Sequence, residues 1–96
     1  MSILHKRYNL AEDSNVRAAV AQAMIQRAIE TLAADPPASE TERAYASRVL
    51  KEPANYVPMA TRAVLGLLEV TEMPTDESIT TTIDSIWGAL AGLEVS

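Results

Sequence analysis

Apolar residues recur along this chain with the period of a helix, in four blocks separated by proline, glycine or polar breaks. In the first block Val16, Val20 and Met24 form one stripe and Ile25, Ile29 and Leu32 form a second beside it, a width that implies contact on two sides. Alanines at 18, 19, 21, 23 and 28 add helix propensity. Asn9 with Glu12 resembles a capping box, Ser14 is a second candidate cap, and Asp35-Pro36-Pro37 ends the block. The second block starts at Ser39-Glu40-Thr41-Glu42, a capping box with acids at the positive end of the helix dipole. It buries Tyr45, Ala46, Val49 and Leu50, turns Arg43, Arg48 and Lys51 outward, and stops at Pro53.

Asn55 is the expected cap of the third helix, with Pro58 in its unpaired first turn and Met59, Ala60, Ala63, Val64, Leu67 and Leu68 as its apolar face. Gly66 within that face marks a point where a neighbour approaches closely. In the fourth block Thr75 is the cap, Asp76 and Glu77 complement the dipole, and Gly92 is the stop. The Thr80-Thr81-Thr82 run has strand propensity, yet alternation fails beyond it while the helical period holds from Ile79 to Leu90. Ile79, Ile83, Ile86, Trp87 and Leu90 are the expected core anchor, with the Trp87 indole N–H bonded to a partner. The pattern predicts an all-α fold, a compact bundle of four helices over about 10–33, 40–52, 57–70 and 76–91, with an N-terminal extended arm over 1–8.

Composition narrows the function classes. At 96 residues the chain reads as a single domain, and the absence of cysteine removes disulfides, thiolate nucleophiles and cysteine-ligated metal sites. The first residues carry His5, Lys6 and Arg7 where a signal peptide needs an apolar centre, and no run is long enough to span a bilayer. All eight basic side chains lie between Lys6 and Arg62, whereas Glu69, Glu72, Asp76, Glu77, Asp84 and Glu94 decorate the C-terminal part. Such asymmetry favours head-to-tail or ring contacts between copies; an ordinary solvated surface is the alternative.

Catalysis finds little support. The single histidine, His5, sits in the arm without a rigid setting, and glycines at 66, 88 and 92 build neither a phosphate loop nor a nucleophile elbow. The C-terminal acids have no histidine beside them and read as dipole-complementing, solvated groups. The expectation is no catalytic residue, no metal and no cofactor. The span from Arg43 to Leu68 imitates a helix-turn-helix, but its second helix offers only Arg62 to bases and the net charge is −5. Sequence-specific nucleic-acid binding is therefore not expected.

Arg48-Val49-Leu50-Lys51-Glu52-Pro53, followed by Tyr56, Ala63-Val64 and the run from Thr75-Asp76-Glu77-Ser78-Ile79 to Ser85-Ile86-Trp87-Gly88-Ala89-Leu90-Ala91-Gly92, resembles a group of short helical proteins from the structural-gene regions of tailed bacteriophages. The resemblance covers roughly the C-terminal two thirds and carries no catalytic residue over. It implies a virion component assembled in the host cytoplasm, with copies of itself and portal, capsid or tail-junction proteins as partners. A connector or adaptor ring at the head-tail junction is the first placement, and a capsid-associated accessory or cement protein the second. A small cytosolic regulator or DNA-binding module is the reading from another class. Ile3, Leu4 and Tyr8 are the candidate partner contacts, being apolar in a segment too short to bury them.

Overall fold

Helix α1 spans Ser14–Ala33 because Asp13 closes its N-terminus: the carboxylate accepts from the amides of Asn15 at 2.8 Å and Val16 at 3.1 Å. A carboxylate suits this place twice, as a hydrogen-bond acceptor and as a negative charge on the dipole. Asp13, one residue before Ser14, thus takes the role for which Ser14 is the second candidate, and Ser14 is the first helical residue. In this computed structural model the described residues are 10, 12–68 and 74–95. Asn9, the arm over 1–8 with Ile3, Leu4, His5 and Tyr8, and Glu69 and Glu72 lie outside them. Ala34 turns extended after α1, ahead of the two prolines.

Helix α2 covers Glu40–Lys51, with the amide of Glu42 donating to Ser39 Oγ at 3.1 Å and the hydroxyl of Ser39 donating to the Glu42 carboxylate at 3.4 Å. Glu52 ends α2 and is also the cap residue of α3, Pro53–Leu67. The third helix therefore begins about four residues before the expected 57. Pro53 takes the first helical position, where a missing N–H is harmless, and Asn55 lies inside the first turn with its side-chain amide donating to the Glu52 carboxylate. That leaves Pro58 past the first turn, where its absent donor does interrupt the ladder.

Helix α4 covers Asp76–Val95. Thr75 caps it reciprocally: the Ser78 amide donates to Thr75 Oγ1 and the Thr75 amide donates to Ser78 Oγ, both at 3.1 Å. Serine here does what glutamate does in the usual capping box. The helix passes through Gly92 rather than stopping there, and no described glycine has positive φ. Burial of Leu90 and Ala91 holds the last turns on the bundle.

Among the described residues there is no strand, and all six pairs of helices are in contact. The body measures 46 × 22 × 19 Å, a cross-section two helices wide in each direction. Helices α1 and α4 start at the same end, where Asn15, Val16 and Ala19 face Pro74, Asp76 and Ile79, and Arg27 reaches Asp84 further along. Helices α2 and α4 also run in the same sense, with Glu42 beside Gly88 and Arg48 donating to the Glu94 carbonyl at 3.2 Å. Two negative helix ends thus lie together, and a guanidinium on the last carbonyls offsets their repulsion.

The core joins Val16, Val20 and Met24 of α1, Tyr45, Ala46 and Val49 of α2, Val57, Ala60, Val64 and Leu65 of α3, and Ile79, Ile83, Trp87 and Leu90 of α4. Ile86 is half-buried against it. Several expected faces are rotated. Leu50 is exposed rather than buried; in α3 Met59 and Leu67 point outward, while Val57, Thr61 and Leu65 point in. Gly66 is exposed with no neighbour near its missing Cβ, so it marks no close approach.

Candidate interaction surface

The described residues assemble no recognisable reaction centre. Asp76 and Glu77 are exposed in the first turn of α4, and Asp84 stands 4.0 Å from Arg27, which also approaches Glu30 at 3.8 Å. No group of three histidine, cysteine or carboxylate side chains among them could hold a metal ion, and no helix is long and apolar enough to cross a membrane. A shallow depression of about 120 Å³ between the starts of α1 and α4 is lined by Asn15, Val16, Ala19, Pro74, Asp76 and Ile79. With a single carboxylate and both helix starts already capped, it offers no pair of groups for acid–base work.

The aromatic cluster is structural in its setting. Tyr45 lies edge-on to Tyr56 at 5.6 Å and tilted against Trp87 at 4.8 Å, and both Tyr45 and Trp87 are buried. The Trp87 indole N–H has no hydrogen-bond partner among the described residues, contrary to the expectation of a bonded indole. Burial pushes the Tyr45 hydroxyl well above the usual phenol range, with smaller upward contributions from the Glu94 carboxylate and Tyr56.

The described basic side chains of the span from Arg43 to Leu68 are spread over two helices, Arg43, Arg48 and Lys51 on α2 and Arg62 on α3. Arg43, Arg48, Lys51 and Arg62 are exposed, but Arg48 is engaged with the end of α4. The corner between α2 and α3 is Glu52 alone, shorter than the three or four residues that set the angle of a helix-turn-helix. Part of the charge asymmetry along the chain is also used internally, since Arg27 and Arg48 both meet α4.

What remains unmatched is the second stripe of α1. At about 100° per residue, the buried positions 16, 20, 23, 24, 28 and 31 centre on one direction, and 18, 21, 25, 29 and 32 centre roughly 130° away. The bundle buries the first set and covers the second only in part, with Ala21 packed against the edge of the core. Ile29 keeps 55% and Leu32 45% of its surface exposed, with Ile25 half-buried and Ala18 exposed beside them. Gln22 and Gln26 border this face on one side and carry no charge. The sequence announces two stripes; packing alone decides which is left outside, because Val16, Val20 and Met24 fit among the other three helices. Leu50, Met59, Leu67 and Leu93 are also exposed, but they are spread over the other three helices. Comparison with protein families, with curated proteins and with solved structures finds no match for this chain.

Proposed function

We propose that this chain is a non-enzymatic assembly protein that works through contacts with copies of itself and with larger proteins. The observation that carries this reading is the outward face of α1. Ile25, Ile29 and Leu32 lie roughly 130° round α1 from the side that fills the core, and bordered apolar surface of this kind on a small domain marks an interaction site. The setting we propose is the tailed-phage virion, at the head-tail junction, on the strength of the resemblance carried by Arg48–Pro53 and Thr75–Gly92. Mass spectrometry of purified particles tests it. Stoichiometric presence of the chain with portal, capsid or tail-junction proteins is the expected result, and absence from particles would return the chain to the class of cytosolic regulators.

A further inference from the structure

We infer that the chain consists of two exchangeable halves, α1 with α2 and α3 with α4, hinged at Glu52, and that Pro53 holds the hinge closed against domain exchange with a second copy. The inference goes beyond the assembly reading and makes no use of the outward face of α1.

The first observation is the corner. Glu52 is the only residue between α2 and α3, and helical bonding reaches it from both sides: its amide donates to the Arg48 carbonyl at 2.9 Å and its carbonyl accepts from the Asn55 amide at 3.0 Å. Its dihedrals, φ −140° and ψ 67°, separate the two helices. Turning that residue to helical geometry joins α2 and α3 into a single helix from Glu40 to Leu67, about 40 Å long. Helix α3 has no side-chain cap bond to lose, and Lys51, Glu52 and Ala54 are good helix formers. Pro53 opposes the change in two ways. Its ring disfavours helical backbone at Glu52, and it offers no N–H to the Val49 carbonyl.

The second observation is how the halves meet. Helix α1 approaches α2 more extensively than any other pair of helices does, whereas α2 and α3, though directly joined, approach each other least. What closes each half is the other: Tyr45 packs on Tyr56 and Trp87, Arg27 faces Asp84, and Arg48 donates to the Glu94 carbonyl. An opened chain recovers all of these from a second opened copy, reciprocally and across a twofold axis. The contacts are then the same in both forms, so the hinge and the chain concentration decide between them. Pro58 lies inside α3 in either form; only Pro53 distinguishes the two.

Magnitudes favour the closed monomer. A direct tether gives one half an effective concentration on the order of 1 mM at the other. A proline inside a helix opposes each opened hinge about a hundredfold, hence a dimer with two hinges about 10,000-fold. The wild type would then exchange only near roughly 10 M, beyond any solution. Without Pro53 the threshold returns to about 1 mM.

Refolding the whole chain from urea at about 10 μM and about 1 mM, followed by size-exclusion chromatography with light scattering, tests the inference. The wild type is expected to elute as a monomer at both. Pro53→Ala is expected to place about half of the chain in a dimer at the higher concentration, with helical circular dichroism retained. That dimer is expected to persist for hours after dilution, because separating it requires unfolding. Pro58→Ala, with the corner proline in place, is expected to stay monomeric. Two glycines inserted after Glu52 in the Pro53→Ala chain interrupt the joined helix and are expected to restore the monomer. A wild type that exchanges as readily as Pro53→Ala would overturn the inference. So would a Pro53→Ala chain that stays monomeric or loses its fold, or a dimer that falls apart on dilution or survives the glycines. None of these outcomes bears on whether the chain is found in particles, so the two readings fail separately.

Discussion

Three threonines sit in the core of this bundle, and each solves its own polar problem. Thr31, Thr61 and Thr82 are buried, and their hydroxyls donate at 2.8 Å to the carbonyls of Arg27, Val57 and Ser78, one turn back. The hydroxyl is thereby satisfied within its own helix and the methyl group faces the core. The aromatic cluster is satisfied less evenly. Trp87 is buried with its indole N–H unpartnered among the described residues, a deficit of about 1–3 kcal/mol that its large apolar surface has to outweigh. Tyr45, packed against it, has its phenol raised by burial above all, then by Glu94 and Tyr56. Its value in the folded state lies above the unfolded value of about 10, so the unfolded chain releases this proton first. The associated stability is fully present below about pH 10 and is lost as pH rises beyond it. Tyr45→Phe is therefore expected to flatten the alkaline loss of stability, by up to about 1.4 kcal/mol per pH unit for one proton. Urea unfolding of both proteins at pH 8, 9, 10 and 11 measures the two slopes, and equal slopes would contradict the assignment.

At the scale of elements, helix starts are written in side chains and helix faces are not. Ser39 and Thr75 are caps that can be read directly, because a hydroxyl two or three residues before an apolar period has few other uses. Asp13 escapes the same reading because Asn9 and Ser14 compete with it, and only the path of the chain decides. The face of α3 misleads for a different reason. Met59 and Leu67 look like core residues, whereas Thr61 looks like surface until its bond to the Val57 carbonyl lets it turn inward. The outward face of α1 is visible as a stripe, but not as the stripe left uncovered. Proline placement in α3 gives the testable consequence. Pro58 is the sixth residue of a helix that starts at Pro53, so its ring displaces the amide that would bond the Ala54 carbonyl. Alanine in a helix interior is better than proline by about 3 kcal/mol, offset by the greater freedom of the unfolded chain and by lost contacts of a half-buried ring. Pro58→Ala is expected to raise stability by about 1–2 kcal/mol, seen as a higher urea midpoint at unchanged slope. A lower midpoint would mean that packing of the ring outweighs the interrupted ladder.

At the scale of the whole molecule, the parallel runs of α1 with α4 and of α2 with α4 tie the first half of the chain to the last. Each of the four helices touches the other three, so none can leave without uncovering apolar side chains on all the rest. Removing α4, for instance, exposes Tyr45 of α2 together with Val16 and Val20 of α1, while Ile79, Ile83, Trp87 and Leu90 lose their partners. Burial of such side chains contributes about 1.5–3 kcal/mol each, so losing several at once is comparable to the roughly 5–15 kcal/mol by which a domain of this kind is stable. A state with three helices packed and one released is then too costly to populate. Heating should consequently melt the helices and the aromatic cluster together. Trp87 gives a probe of the contact between α2 and α4 that is separate from backbone circular dichroism, since it lies 4.8 Å from the Tyr45 ring. The fluorescence and far-UV transitions are expected to coincide at one midpoint. A Trp87 transition that precedes the loss of helix would show that α4 leaves first, and that the contacts among all six pairs are less interdependent than their geometry implies.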